Sequence, residues 1–517
     1  MRAIYKTEGT SHFVCRTNRT VPIVLLLPIV LREEKTMALK TGRQYIEEIK
    51  LMRPNVYKWG ELIEDVTEHP ATASAVKTVA GCYDASFDSG TEGVYTTVSM
   101  LTGKKAHRWN TIQTCPEDIR GNAEMKRDAY RKYGTCPGSN CAGWTIVNAL
   151  WGVTYDMDAT YGTSYHERLR DFAVFMEEKA LATCGALTDA KGNRAKRAGE
   201  QDDPDVYLRV IEQRDDGIII NGFKAQICGA ASSQYIIVCP TSVYGEEEKE
   251  YCVACAVPRD AEGVTLVETR KPSDTRIEEE GWDGIKSGTT QAYIIFDRVF
   301  VPNDMVFMNG EHDHTGALLS NFTAIYRAAI GACVAGQGDV MIGAALALAR
   351  TNGLTRKVFQ EKLVQMSVNN ETTFGLGLGA IYSGYKHASG AWYPDSLLSH
   401  LNKIHVAKLP YETKMLAQEI SGGIAETGCM PSYKDLTSPL IGEKLLEALT
   451  AATNAEDRIK LARLVEWLTV GAGIPGCMHG GGSPDTAKMV IRSATPWEQY
   501  VDLACKLADV SEPPKET

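Results

Sequence analysis

Two thiols that bracket a tetrapeptide pose the first chemical question. Cys136-Pro137-Gly138-Ser139-Asn140-Cys141 is a loop with two backbone breakers, and the residues after it turn helical. The start of a helix stabilises thiolates, and cluster-binding loops have this appearance. Two cysteines cannot hold a cluster alone, so a metal role requires thiols from distant sequence. Fourteen cysteines are available, at 15, 82, 115, 136, 141, 184, 228, 239, 252, 255, 333, 429, 477 and 505. Their wide spread excludes a disulfide scaffold. The plain reading is reduced, mostly buried thiols in a reducing cytosol; the sharper one is that a subset binds metal or an iron–sulfur cluster. Cys252-Val253-Ala254-Cys255 reads against a metal pair, because strand alternation sends its thiols to opposite faces.

The second chemical stretch is His479-Gly480-Gly481-Gly482-Ser483-Pro484. One reading is backbone that approaches a phosphate or a flavin, with Ser483 capping the next helix. The other is a flexible interhelical loop, and the residues alone leave both open. No Walker loop and no Gly-x-Gly-x-x-Gly after a strand is present.

Elements must position these groups, and 517 residues allow two to four domains. Apolar residues at 44% and charged residues at 23% exclude a mostly disordered chain. Lys and Arg number 55 against 65 Asp and Glu, a net charge of −10. That argues against nucleic acid held by a general phosphate field. It leaves room for a phosphorylated ligand, which needs only a few local cations.

Val21 to Leu31 is a run of eleven apolar residues after Arg16 and Arg19, too short to span a bilayer. The charged Arg32-Glu33-Glu34-Lys35 that follows suits no cleavage site, so residues 1–36 are expected to be an extension outside the fold. A targeting peptide is the alternative. No other run approaches 18 apolar residues, so no membrane span is expected and a cytoplasmic location is.

Helical spacing dominates 37–187, as in Tyr45, Ile46, Ile49 and Met52, and again in Ile146, Val147, Leu150 and Trp151. A third helix is expected over Leu169 to Leu181. The polar stretch from Thr188 to Asp205 is a loop. From Gly217 short strands take over, and Gly217-Ile218-Ile219-Ile220-Asn221-Gly222-Phe223-Lys224 reads as strand, turn, strand. Tyr235–Cys239, Tyr251–Val257, Val264–Val267, Ala292–Phe296 and Val299–Asp304 continue them, so 188–312 predicts a compact antiparallel β domain. Helices return over 313–510, near Val340–Ala349, 355–370, 398–420, 440–453 and 456–470, before a tail at 511–517. The fold class is α+β in the order helical, β, helical.

With these pieces placed, a resemblance emerges. From about 38 to 500 the chain resembles the 4-hydroxybutyryl-CoA dehydratases and, more distantly, the flavin-dependent 4-hydroxyphenylacetate 3-hydroxylases. It rests on Gln44-Tyr45-Ile46-Glu47, Val147-Asn148-Ala149 through Thr154-Tyr155-Asp156, and Tyr161-Gly162-Thr163-Ser164-Tyr165-His166. Thr188-Asp189-Ala190-Lys191-Gly192-Asn193-Arg194, Arg214-Asp215-Asp216-Gly217-Ile218, Phe296 through Asp304, and Met478 through Pro484 complete the set. The resemblance implies an acyl-CoA dehydrogenase-like architecture, usually tetrameric, with FAD between the β domain and the C-terminal bundle. It implies FAD near Lys191, Asn193, Arg194 and Gln201, near Cys228 and Gly229, and near Gly480 and Gly481. It further implies a [4Fe–4S] cluster held by three cysteines and a histidine, positions that fall on Cys136, Cys141, Cys333 and Tyr326.

This sequence departs from the dehydratase pattern at several of those places. Cys136 lies one residue further from Cys141 than the family spacing, and Tyr326 replaces the histidine. Two family glutamates fall on Gly476 and Gln291. In the dehydratases the cluster is the Lewis acid for the leaving hydroxyl, the histidine is the proposed base and the flavin supplies one-electron chemistry. Tyr326 is a poor base near neutrality, though a tyrosinate is able to ligate iron. The hydroxylase pattern also fails, at Pro137, Cys141 and Gly185. Tyr326, His479 and His166 are therefore the candidate catalytic groups, with a structural role equally open for each histidine.

The expected function is an FAD enzyme acting on an acyl-CoA or related acid by dehydration or double-bond isomerisation. A two-component aromatic monooxygenase fed by a flavin reductase is the alternative, and a non-catalytic flavin or acyl-CoA binder is the third.

Overall fold

A computed structural model describes residues 39–190, 192–269, 288–426, 430–469 and 480–511. The 1–36 extension, Lys191, Gly476, Cys477 and His479 lie outside the described residues.

The first helix, Gly42–Lys50, begins with a capping box between Thr41 and Gln44 and buries Tyr45 and Ile49. Helix Pro116–Tyr133 opens with a proline and two acids, closes with Arg131 and Lys132, and stops at a left-handed Gly134. Its buried positions Ile119, Asn122, Ala123, Lys126 and Tyr130 recur at three- and four-residue steps, so one face points inward. Helix Ala142–Tyr161 is buried nearly all round, from Gly143 through Thr154, and is a core element. Helix Tyr165–Glu178 overlaps the one expected over Leu169 to Leu181 but starts four residues earlier and ends three earlier.

The C-terminal half is built on one 37-residue helix, Thr315–Thr351. It is the one described helix long and apolar enough to cross a membrane, and 67% of its apolar window is buried, as in a core helix. It packs against Pro116–Tyr133, Gln360–Tyr382 and Ser396–Val406. The single helix expected near 398–420 is two, Ser396–Val406 and Leu409–Ser421, interrupted before Pro410.

Two sheets lie between. The larger has six strands in the order Glu61–Ile63, Val56–Lys58, Val264–Glu268, Gln291–Pro302, Gly217–Cys228, Arg209–Gln213. The smaller has four, Val306–Asn309, Val253–Pro258, Tyr235–Val238, Thr183–Ala186.

Two expectations need correction. The sheets are mixed, because Thr183–Ala186 runs parallel to Tyr235–Val238 and Val56–Lys58 parallel to Val264–Glu268. These strands of three and four residues come from the helical segment, and so few residues show no alternation. Asn221-Gly222 is not a turn either. Gly217–Cys228 is one strand, and Gly222, at φ 127°, sits opposite a register shift between Phe296 and Val299.

The N-terminal core carries an acid-sensitive group. His107 is fully buried, accepts the Lys40 backbone N–H at 2.9 Å and pairs with Ser86. Burial first, then Lys40, pulls its pKa down to about 3. The unfolded chain therefore binds a proton that the fold refuses, and stability falls as pH drops from about 6.5 toward 3. We expect His107 to cost about 2 kcal/mol of unfolding free energy at pH 5 relative to pH 7. Denaturant titrations of parent and His107→Gln at both pH values check this; equal acid sensitivity of the two would contradict it.

Candidate active site

The thiol loop, the long helix and a sheet turn meet at one place. Cys136, Cys141 and Cys333 line a cavity of about 50 Å³ with Lys126, Tyr130, Met125, Trp109 and Tyr95. Cys136 is pushed well above the usual thiol range, by burial first and then by Cys228, Cys141 and Cys333. The Tyr326 phenol is likewise raised by burial, then by Cys141, Cys228, Cys136 and Cys333. Cys136, Cys141, Cys228, Cys333 and Tyr326 thus share one electrostatic environment. Among the described residues no three His, Cys, Asp or Glu side chains group as a metal-ion site.

The glycine run covers Tyr326. A Cβ on Gly481, at φ 68°, would stand 2.6 Å from Tyr326 Cδ1, so the backbone lies on the ring. The ring also stacks on Phe322 at 5.5 Å between centroids. Arg327 Nε donates to Gly481 O at 2.9 Å and Lys403 Nζ to Gly480 O at 2.7 Å. Both cations are buried, and burial alone brings Arg327 down to about 10. Ser483 caps helix Pro484–Ala494 by accepting the Thr486 N–H at 3.2 Å, as its position predicted.

The turn at Cys228-Gly229 is stapled to the thiol loop. Ser139 Oγ donates to Gly229 O at 2.9 Å and meets Ser232 and Ser233. Gly229 has φ 68°, and a Cβ there would collide with the Ser139 backbone nitrogen. Gly229→Ala must push the thiol loop outward, at a cost of at least about 1 kcal/mol from the left-handed backbone alone. We expect faster alkylation of Cys136 and Cys141 in this variant, read by mass spectrometry; unchanged rates would contradict the packing.

The loop named for the cofactor is self-braced. Gln201 Nε2 donates to the carbonyls of Asn193, Lys196 and Arg197, and its Oε1 accepts the Asn193 N–H at 2.9 Å. Its amide is spent on the loop, so Gln201 shapes the segment. Asn193 Oδ1 accepts from Ala195 N–H, whereas Arg194 stands exposed. Below the loop, Lys224 and Asp189 form a buried ion pair at 2.7 Å.

His166 does not join the pocket. It pairs with Thr154 at 3.0 Å and packs on Trp151 and Tyr155. Trp151 and Thr154 lie ten and thirteen residues past Cys141 on helix Ala142–Tyr161. At 1.5 Å per residue that is about 15–20 Å away. Burial also lowers its pKa. Its role is packing between two helices.

Sequence reasoning missed three buried cations, Lys126, Arg327 and Lys403. The first was detectable: Lys126 continues the Ile119, Asn122, Ala123 face, where a solvated lysine does not belong.

With this geometry in hand, the comparisons are specific. Family models described as the N-terminal and C-terminal parts of 4-hydroxyphenylacetate 3-hydroxylase match residues 41–308 and 315–509. The chain is 35% identical over 472 residues to the 4-hydroxybutyryl-CoA dehydratase/vinylacetyl-CoA-Δ-isomerase of Clostridium aminobutyricum, covering 88% of this chain and 96% of that one. It is 27% identical to the 4-hydroxyphenylacetate 3-monooxygenase oxygenase component of Thermus thermophilus, over 83% and 88% of the two chains. A solved oxygen-tolerant archaeal 4-hydroxybutyryl-CoA dehydratase from N. maritimus superposes with a TM-score of 0.88 at 35% identity, covering 93% of this chain and 97% of that one. The chain therefore belongs to the 4-hydroxyphenylacetate 3-hydroxylase family, in which its relatives are dehydratase/isomerase and flavin monooxygenase enzymes, and it is an enzyme of that family.

Proposed function

We propose that the protein is an FAD-dependent enzyme acting on a short acyl-CoA thioester or a related acid by dehydration or double-bond isomerisation. The observation that supports it is the meeting of the thiols, Tyr326 and the glycine run at one place, in a chain so similar to a dehydratase/isomerase along nearly its whole length. The helical, sheet, helical order suits an acyl-CoA dehydrogenase-like arrangement; a cytoplasmic location and a homotetramer are part of the proposal.

The residues fit FAD. Arg327 is 2% exposed with no acid among the groups that shift it, which leaves room for an anion such as a diphosphate. Thr290 Oγ1 is buried without a hydrogen-bond partner beside the Gly229 turn, whose N–H donates to Thr290 O at 2.9 Å. Asn193, Arg194, Cys228, Gly229, Gly480 and Gly481 would hold the cofactor with Arg327. Bound there, FAD supplies the redox chemistry at the acyl carbon chain. The chain supplies the rest: the glycine run shields one face of Tyr326 from water, and the phenol, held protonated, keeps its proton at Oη and offers it as a donor.

The described donors do not fit a [4Fe–4S] cluster. No three of the described His, Cys, Asp or Glu side chains group as a metal-ion site, a phenol stands where a fourth ligand would be an imidazole, and the Lys126 ammonium bonds to Cys141. No step is routed through a cluster.

A second reading has its own support. A protonated Tyr326 is no base for an unactivated carbon acid. A monooxygenase using reduced FAD from a partner reductase needs no such base. Anaerobic incubation with short hydroxyacyl-CoA thioesters is expected to yield the unsaturated or isomerised thioester. Turnover of phenols that requires oxygen and reduced FAD, with thioesters untouched, would overturn the first reading in favour of the second.

A further inference from the structure

The last described helix buries none of its side chains. Helix Trp497–Ala508 has 12 residues, and none of them is buried. Its predecessor, Pro484–Ala494, buries Ala487 and packs on Ser396–Val406. An isolated helix of about 12–15 residues is marginal in water and draws its stability from the surface its apolar side covers. No side chain caps its start, where Pro496 holds the N-cap position.

The pattern of the helix says which side needs covering. Trp497, Tyr500, Val501, Ala504, Leu507 and Ala508 recur at three- and four-residue steps and form one stripe. Glu498, Gln499, Asp502 and Lys506 gather on the opposite side. All six residues of the stripe are exposed, Leu507 at 92%. At their exposures Trp497, Tyr500, Val501, Leu503, Leu507 and the nearby Met489 present roughly 700 Å², with a large apolar side chain taken at about 150–250 Å². A stable interface takes about 800 Å² from each partner.

Two observations favour a second copy of this chain as the occupant. Glu498, Asp502 and Asp509 outnumber Lys506, whereas helices that lie in a membrane interface carry Lys and Arg on their polar side. The chain also displays a second apolar surface of helical spacing. Val364 and Val368 on helix Gln360–Tyr382, and Tyr411 and Met415 on helix Leu409–Ser421, are exposed pairs four residues apart on two helices that pack together. Association of like copies covers both surfaces at once, and a foreign partner on one leaves the other in water.

We propose that helix Trp497–Ala508 is an assembly arm, whose apolar stripe seats on a second copy of this chain at the face bearing Val364, Val368, Tyr411 and Met415. This gives the homotetramer proposed above a contact surface and rests on that reading only in taking the chain to self-associate.

The test is the mass of the full-length protein by light scattering after size-exclusion chromatography, over a dilution series. Parent protein is expected above the mass of one chain. Leu507→Asp is expected to weaken association about 10- to 100-fold, the worth of burying one large apolar side chain, and Val368→Asp to do the same. Both residues are exposed in the single chain, so neither substitution removes a core contact, and the circular dichroism of both variants should match the parent. Leu507→Met should keep the parent mass. Parent protein that stays at the mass of one chain at every dilution would overturn the arm together with the homotetramer. An unchanged mass in Leu507→Asp would overturn the arm and leave the homotetramer to another surface. Dissociation of Leu507→Asp but not of Val368→Asp would overturn the seat. Sedimentation of the parent with phosphatidylglycerol vesicles, abolished by Leu507→Asp, would give the stripe to a lipid surface and overturn the proposal. Flavin content, read from visible absorbance of the same samples, tests the functional reading separately, since an oligomer without flavin leaves the arm standing.

Discussion

Lys224→Met lowers the unfolding free energy by about 3–5 kcal/mol, because it strands Asp189 as a buried, uncompensated charge. Both side chains are 2% exposed, and the pair closes at 2.7 Å. Lys224 Nζ also donates to Leu187 O at 2.9 Å and Cys239 O at 3.0 Å. Asp189 accepts the Leu208 N–H at 3.2 Å. One ion pair thus ties both ends of the loop bearing Asn193 and Arg194 to strand Gly217–Cys228. Urea denaturation reads the loss. The double variant Lys224→Met/Asp189→Leu should recover most of it, since an apolar pair of similar size often replaces a buried ion pair at little cost. A loss below about 1 kcal/mol in the single variant would show that Asp189 is not sealed from water.

Arg327→Met is expected to weaken FAD binding by about 10- to 100-fold, the worth of one charge-assisted hydrogen bond. Arg327 sits deep in the long helix and holds Gly481 O through Nε, while Nη2 reaches Thr486 Oγ1 at 3.4 Å. The substitution removes the charge and frees the glycine run from its anchor, so both effects point the same way. Fluorescence titration of flavin into the apoprotein measures it. Arg327→Lys should fall between parent and Met, because lysine restores charge without the planar fork. An unchanged dissociation constant would place the diphosphate elsewhere.

The fold was legible where periodicity was long. Tyr45 and Ile49, the run from Ile146 to Trp151, and the strands rich in Ile and Val fell where spacing put them. It was illegible where elements were too short to show a period, as in Val56–Lys58 and Thr183–Ala186. The Gly217–Cys228 strand was misread because Asn-Gly is the strongest turn signal, and only the partner strand shows it to be a bulge.

The site was legible as residue types and less so as geometry. The resemblance named Cys136, Cys141, Cys333, Tyr326 and the glycine run, and the chain brings those that are described together. It also named His166, which helix Ala142–Tyr161 carries away by its length. Lys126 was hidden by its surroundings in sequence. Among Arg120, Glu124, Arg127, Arg131 and Lys132 it reads as one more solvated charge, and only its step from Ala123 marks it as inward. Arg327 and Lys403 were hidden likewise, because nothing local shows that the glycine run returns to them from more than 70 residues away.

The most direct measurement is the visible absorption spectrum of the anaerobically purified protein, with acid-released flavin, iron and sulfide assayed on the same sample. The account predicts flavin bands, about one FAD per chain, and no stoichiometric iron or sulfide. Protein without flavin would contradict it. So would a full complement of iron and sulfide, which would make the thiols around Lys126 ligands.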